Sequence, residues 1–152
     1  MKLARILVLA AALPGTTVAL AEPSLCTRDE VTEWSCSVKE AVHSLCASRD
    51  LGPRSGYLQY RARTREGMAS VFPDPPRHPA GLFRLRLAPR GASLRFTIGG
   101  REHWIHEPLA GSTSIEVLEA GRSSGVLDCD WSTDTLTLTA TQNRFRRIGI
   151  FP

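Results

Sequence analysis

Residues 94–107 read LRFTIGGREHWIHE, two alternating runs on either side of a glycine pair. In the first run three apolar residues alternate with Arg95 and Thr97, which is the period of a strand with one apolar face. The glycine pair at 99–100 is typical of a tight turn between antiparallel strands. This stretch therefore predicts a β-hairpin and an antiparallel fold.

The second run, REHWIHE, places two histidines three residues apart beside three charged groups. Successive side chains of a strand point to opposite faces, so His103 and His106 are predicted to lie on different faces. One face then holds His103, Ile105 and Glu107, and the other holds Glu102, Trp104 and His106. A zinc site needs three or four converging ligands, so we expect a half-buried strand with Trp104 or Ile105 packed inward, and His103 and His106 remain weak metal candidates.

The same alternation recurs at 34–38, 58–62, 83–87 and 135–141, with turn signals between the runs. This pattern predicts an all-β fold, an antiparallel sandwich or barrel of about 8–10 short strands. Arginines in these runs are expected on the solvent-facing side. The proline-rich stretch at 73–79 cannot continue a ladder and is interpreted as a stiff crossover loop inside one domain.

The N-terminus has the pattern of a secretory signal peptide, residues 1–21. Lys2 and Arg5 precede an apolar run at 6–13, and 19–21 reads Ala-Leu-Ala, a small-x-small cleavage site. Residues 22–152 are then expected to form a single β domain, periplasmic or secreted, with no membrane span. The formal charge of +4 includes the two basic residues of the signal, so the mature chain is only slightly basic.

Four cysteines, Cys26, Cys36, Cys46 and Cys129, form an even set in a chain predicted to enter an oxidising compartment. Two disulfides are therefore expected, with three connectivities open. Cys129 must join one of the cysteines at 26–46 in any of them. That bridge closes a loop of more than about eighty residues, which corresponds to about 4 kcal/mol of loop entropy.

Two short motifs suggest chemistry but lack its structural context. GRSSG at 121–125 matches G-x-S-x-G, yet a strand pattern follows it where the nucleophile elbow requires a helix, so a turn around Ser123 is expected. Oxygen-bearing residues at 128, 130, 132 and 134 are spaced as in a calcium loop, but threonines occupy the required glycine and glutamate positions. Asp128 and Asp130 therefore count as weak metal candidates on a wet strand face, with Leu127 and Trp131 toward the core.

Three stretches, WSCSV, SLCAS and GYLQYR, lie between Trp34 and Arg61. Together with the LRF core at 94–96 and the late Leu-Asp-Cys at 127–129, they resemble a group of small exported proteins of Gram-negative bacteria. The resemblance implies a β-rich exported domain with a cysteine in each of the first two blocks. It implies no activity and no catalytic residue.

The sequence favours a non-catalytic envelope or secreted binding or accessory module. An unknown protein or an envelope polymer is the expected partner, without nucleic acid and without a cofactor. An inhibitor of lysozyme is one form of this hypothesis. A small envelope-acting hydrolase is the alternative, with Ser123, His103 or His106 as participants. The arginines Arg144, Arg146 and Arg147 are expected on a solvated tail that could meet an acidic surface.

Overall fold

The computed structural model describes residues 23–151, so the signal peptide predicted at 1–21 lies outside the described residues. Within them the chain forms ten strands and one helix. The elements are β1 (Glu30–Val38), β2 (Ala41–Ser48), β3 (Leu58–Thr64), β4 (Gly67–Phe72), β5 (Arg84–Ala88), β6 (Gly91–Ile98), β7 (Arg101–Pro108), β8 (Ser114–Glu119), β9 (Arg122–Asp128), β10 (Trp131–Ser132) and α1 (Thr139–Arg147). In this part of the chain no helix has the length and apolar character needed to cross a membrane.

The strands form two antiparallel five-stranded sheets that pack as a sandwich. Sheet I has the order β10-β1-β2-β3-β4, and sheet II has the order β5-β6-β7-β8-β9. Apart from the pairing of β10 with β1, every ladder joins strands that follow each other in the chain. The proline-rich loop at 73–79 connects the two sheets. The prediction of an all-β antiparallel fold is confirmed, and the form it takes is a sandwich.

One apolar core lies between the sheets and draws on both of them. Trp34 of sheet I and Ile105 of sheet II are both fully buried. The rings of Tyr60 and Phe96 meet across the interface with their centroids 4.7 Å apart, within the range that favours aromatic pairs. The alternation at 94–107 thus predicts the inward side chains correctly, because a strand turns every second residue toward the same face.

Both pairs of cysteines form disulfides, as expected. Cys26 bonds to Cys46, and Cys36 bonds to Cys129 across a sequence separation of 93 residues. The second bridge links β1 to the residue that follows β9, next to the pairing of β10 with β1. The structure therefore selects one of the three connectivities and ties the end of sheet II to sheet I.

The prediction of a strand at 135–141 is wrong, because this stretch forms a turn that leads into α1. The buried carboxylate of Glu107 accepts hydrogen bonds from the backbone N–H groups of Leu136 and Thr137, at 3.0 and 2.7 Å. Consecutive N–H groups of a strand point in opposite directions, so one carboxylate cannot collect two of them from an extended chain. Leu136 is consequently buried, whereas Leu138 is 52% exposed.

Helix α1 corrects the expectation of a solvated basic tail at Arg144, whereas Arg146 and Arg147 are exposed as expected. Thr141 and Phe145 are buried one helical turn apart. Arg144 Nη1 lies 2.6 Å from Oε1 of Glu33, a side chain only 5% exposed. Burial raises the pKa of Glu33, and the charge of Arg144 acts in the opposite direction. Arg146 is exposed and lies over the ring of Phe151, 4.5 Å from its centroid.

The N-terminal segment 23–29 covers the outer face of sheet I. The disulfide from Cys26 holds this segment on β2. The hydroxyl of Ser35 donates to the carbonyl of Pro23 at 2.7 Å, and that of Ser44 accepts from the N–H of Leu25 at 3.0 Å. Ser35 and Ser44 are fully buried although their strand positions face outward. Sheet I is therefore closed on both of its faces along β1 and β2.

An ion pair completes this cover and corrects one expectation. Arg61 was expected on the wet face, but its side chain is only 14% exposed. Its guanidinium donates to both carboxylate oxygens of Glu30, at 2.6 and 2.7 Å, and to the carbonyl of Leu25 at 3.1 Å. Tyr57 adds a hydrogen bond to Glu30 at 2.7 Å. The paired charges are fully hydrogen-bonded, which burial of charge requires.

Strand β9 lies at the free edge of sheet II, and its residues are all exposed. Leu127, predicted toward the core, is 41% exposed, like the other residues of this edge strand. The predicted turn at 121–125 is also shorter than expected. Ala120 and Gly121, with φ of 50° and 74°, form the turn, and Ser123 already belongs to β9.

We expect loss of the Cys36–Cys129 bridge to destabilise the chain more than loss of the Cys26–Cys46 bridge. The two bridges span 93 and 20 residues, for which loop entropy gives about 4.6 and about 3.3 kcal/mol. Urea unfolding of the C36A/C129A and C26A/C46A variants measures the difference. Equal free energies of unfolding for the two variants would mean that the bridge between the sheets is not the stronger restraint.

The Glu30–Arg61 pair should make stability fall in acid. Burial of Glu30 acts to raise its pKa, but the hydrogen bonds from Arg61, Tyr57 and Thr27 outweigh it and lower the pKa to about 2. The stabilisation is then present above the unfolded pKa of 4.5 and is lost as the pH falls toward 2, a total of about 3 kcal/mol. Unfolding curves between pH 5 and pH 2 should show this loss in the wild type and not in Glu30→Gln.

Candidate functional site

The histidines of REHWIHE lie on opposite faces of β7, as its strand period predicts. His103 stacks on Phe96 inside the sandwich, with ring centroids 5.4 Å apart. His106 lies outside, stacked on Trp104 at 5.7 Å. The two imidazoles therefore face different environments and cannot share a coordination point. Ile105 packs inward and is fully buried, as expected for one of the two central residues.

A small polar cluster is enclosed between the sheets. His43 Nδ1 and the hydroxyl of Tyr60 share a hydrogen bond of 2.7 Å. Burial lowers the pKa of His43 to about 4, and the neighbouring His103 acts in the same direction. Burial also lowers the pKa of His103 and raises that of Tyr60. These groups are neutral near pH 7; His43 and Tyr60 are buried in the core, and His103 is half-buried.

Two of the acidic residues, Asp130 and Asp134, act as structural hydrogen-bond acceptors. Asp130 accepts from the backbone N–H of Lys39, and Asp134 accepts from the hydroxyl of Thr113 at 2.7 Å. Asp128 is exposed at the end of β9. Among residues 23–151, no three side chains of His, Cys, Asp or Glu converge as a metal site would require. The oxygens of Asp130 and Asp134 instead attach the chain after β9 to neighbouring loops.

Ser123 and His106 do approach a common carboxylate, on the outer face of sheet II. His106 Nε2 lies 3.1 Å from Oε2 of Glu116. Hydrogen bonds from Ser123 and His106 lower the pKa of Glu116. The order of contacts is serine, carboxylate, histidine, whereas an activated serine needs the histidine beside it and the carboxylate beyond. Glu116 thus lies where an activated serine would need the histidine.

The outer face of sheet II carries a regular array of polar and aromatic side chains. Strand register places its residues in two rows across the sheet. The first row is Arg86, Ser93, His106, Ser114 and Asp128, and the second is Arg84, Arg95, Trp104, Glu116 and Val126. Positive charge is concentrated on β5 and β6, negative charge on β8 and β9, and aromatic rings lie between them. This face presents a charge gradient to solvent.

Trp104 is held in place at the centre of this array. Its indole N–H donates to Oε2 of Glu102 at 3.0 Å. The guanidinium of Arg95 lies 5.3 Å from its ring centroid, within the range of a cation–π contact. His106 stacks on the same side chain. The ring is half-buried, and contacts with three polar side chains of the same sheet hold its orientation.

Beside Trp104, two arginines line a cleft of about 450 Å³ at the corner of sheet II. Arg84 and Arg95 are cross-strand neighbours on β5 and β6, and the guanidinium of Arg95 lies over Trp104. Glu102 lies 4.0 Å from Arg95, whereas Arg84 has no carboxylate oxygen within that distance among residues 23–151. The other wall of the cleft is the chain end at 149–151. The charged side chains that line the cleft are these two arginines and Glu102.

The strand period predicts that these arginines face solvent, but it does not predict that Arg95 lies beside Trp104. The glycine turn at 99–100 contains the information that pairs Arg95 with Trp104. A two-residue loop fixes the register of its hairpin, which pairs Ile98 with Arg101 and hence Arg95 with Trp104. The cleft itself had no local signal, because the chain end that forms its wall is remote in sequence from β5 and β6.

Comparison of the chain with family models, curated proteins and solved structures gives no match. What the chain does must therefore be inferred from its own side chains.

The enclosed histidine predicts a second pH dependence of stability, distinct from that of Glu30. The folded pKa of His43, about 4, lies below the ordinary value of 6.5. As the pH falls, His43 therefore becomes protonated in the unfolded chain before it does in the folded chain. The free energy of unfolding is highest above pH 6.5 and decreases by up to about 3 kcal/mol as the pH falls from 6.5 to 4. Urea unfolding across this window should show the loss in the wild type. If the His43→Gln variant shows the same dependence of unfolding free energy on pH as the wild type, this prediction is wrong.

Proposed function

We propose that this chain is an exported, non-catalytic binding module whose binding surface is the outer face of sheet II. The observation that carries the proposal is the fixed ring of Trp104 between Arg95 and Glu102. A ring that is oriented before its ligand arrives loses little conformational freedom on binding. Aromatic side chains and arginines are also the residues that most often dominate binding energies.

Export is part of the proposal. The two disulfides are compatible with a periplasmic or extracellular location, because thiols stay reduced in the cytosol. The signal-peptide pattern at 1–21 supports the same location. A rigid scaffold with both bridges closed can present a surface outside the cell without help from cytosolic factors. The partner is accordingly a protein or a polymer of the envelope.

A binding role fits the chemistry of the face better than hydrolysis does. Glu116 separates Ser123 from His106, so neither residue activates the other. His43 and Tyr60 are enclosed in the core, where a large substrate cannot reach them. The remaining features of the outer face are charge, hydrogen-bonding groups and an aromatic ring, which are features of recognition.

The proposal predicts that Trp104→Ala removes binding without affecting the fold. The mature protein, immobilised, would be exposed to envelope material of the organism that encodes it, and bound proteins and bound polysaccharides would be measured separately. We expect one component to be retained by the wild type and reduced about tenfold by Trp104→Ala, since loss of an aromatic anchor costs about 2 kcal/mol or more.

Met68→Ala provides the matched control, because this variant removes a large side chain that is 56% exposed on the other sheet. It should retain the component as the wild type does. Equal retention by all three proteins would exclude the outer face of sheet II as the binding surface. Retention by none of them would contradict a role as an envelope binding module.

A further inference from the structure

We infer that the partner of the outer face of sheet II is a second copy of this chain, packed face to face around a two-fold axis parallel to β7. The inference rests on the proposed function and names the partner of the same surface. It depends on two observations. The charges of this face balance, and charges of opposite sign lie at equal distances on the two sides of β7.

The balance of charge favours a protein as the partner. The charged side chains of the face are Arg84, Arg86, Arg95, Glu102, Glu116 and Asp128, three of each sign. A polymer with charges of one sign would meet like charges on one half of this face, and contacts between like charges oppose binding. A protein surface with charges of both signs avoids that repulsion.

The distribution of charge is antisymmetric about β7, the central strand of sheet II. In the first row, Arg86 on β5 and Asp128 on β9 each lie two strands from β7. In the second row, Arg95 on β6 and Glu116 on β8 each lie one strand from β7. Exchanging the two sides of β7 therefore exchanges a positive charge for a negative charge in both rows.

A two-fold axis parallel to β7 makes this exchange. It turns one copy face down on the other, with β5 of each copy over β9 of the other and each row over the same row. Arg86 then faces Asp128 of the second copy, Arg95 faces Glu116 of the second copy, and both contacts occur twice. The face is thus self-complementary, as a two-fold contact between identical subunits requires. Packed sheets also keep their strands nearly aligned, as they are around this axis.

A two-fold axis perpendicular to the strands is excluded by the same charges. It would place β5 of one copy over β5 of the other, so that arginines face arginines and carboxylates face carboxylates. The axis parallel to β7 brings only Glu102 opposite its own counterpart. Arg95 of the same chain lies 4.0 Å from that carboxylate and offsets its charge.

Arg86 and Asp128 are free to form the intermolecular pair. Both side chains are exposed. Within residues 23–151, neither has an oppositely charged side-chain atom within 4.0 Å. The contact between copies therefore breaks no ion pair of the described chain. Trp104 is half-buried on β7, close to the axis, where the second copy would cover the rest of its side chain. An aromatic centre with charges around it is the usual anatomy of a protein interface.

Analytical ultracentrifugation of the mature protein, with both disulfides closed, tests the inference. The wild type should form a dimer within a concentration series from about 1 μM to about 1 mM, a range that includes weak specific association. Arg86→Asp and Asp128→Arg each place like charges at both symmetry-related contacts. We expect each variant alone to dimerise at least about tenfold more weakly than the wild type. A wild type that stays monomeric throughout the series would overturn the inference.

Mixing the two variants tests the symmetry. In a mixed dimer, the aspartate of Arg86→Asp faces Asp128→Arg, and Asp128 of the first variant faces Arg86 of the second. Both contacts then join opposite charges, so the mixture should dimerise as the wild type does. A mixture that associates no better than either variant alone would overturn the inference.

Arg63→Asp is the matched control, because it reverses the same charge at an exposed position of β3 on sheet I. It should dimerise as the wild type does. If Arg63→Asp and Arg86→Asp weaken the dimer equally, general charge and not the outer face of sheet II controls association, and the inference is wrong. Urea unfolding of each variant would verify that the fold is intact, since these side chains are exposed.

The two proposals can fail separately. If the wild type stays monomeric while Trp104→Ala loses an envelope component that the wild type retains, the binding module stands and the second copy is wrong as its partner. If the mixed variants restore the dimer while Trp104→Ala retains an envelope component as the wild type does, the inference is supported and the surface proposed for envelope binding is wrong.

Discussion

The sandwich depends on how the chain returns to sheet I after β9. Within residues 23–151 each sheet is built almost entirely from neighbouring hairpins, so backbone pairing alone would leave two independent units. The disulfide of Cys129 with Cys36 and the pairing of β10 with β1 close this gap. Glu107 of sheet II then holds the backbone at Leu136 and Thr137. The core is thereby sealed by a covalent bond and by charged hydrogen bonds.

The outer face of sheet I is covered and that of sheet II is open to solvent, and the candidate site lies on the open face. On sheet I, the disulfide of Cys26 and the ion pair of Glu30 with Arg61 fix the N-terminal segment over the strands. On sheet II, the outer side chains remain partly or fully exposed around Trp104. Antiparallel sheets can leave one face to solvent. Here the open face is the one that carries neighbouring arginines and a fixed aromatic ring.

Strand period predicted most of the fold, and its failures have physical causes. At 135–141, leucines alternate as in a strand, but Glu107 captures two consecutive N–H groups and turns the chain into α1. At Leu127 the period assigns the correct strand but the wrong environment, since β9 is an edge. Alternation specifies two faces of a local segment. It contains no information about what covers each face.

The sequence by itself determined the hairpins, the face on which each side chain of 94–107 lies, and the presence of two disulfides, because backbone geometry and cysteine number act locally or by count. Only the tertiary structure decided which cysteines pair, which outer face stays open, and that the chain end forms a cleft beside Arg84 and Arg95. These features are contacts between segments remote in sequence. They follow from how the two sheets and the chain termini pack, and no local period encodes that packing.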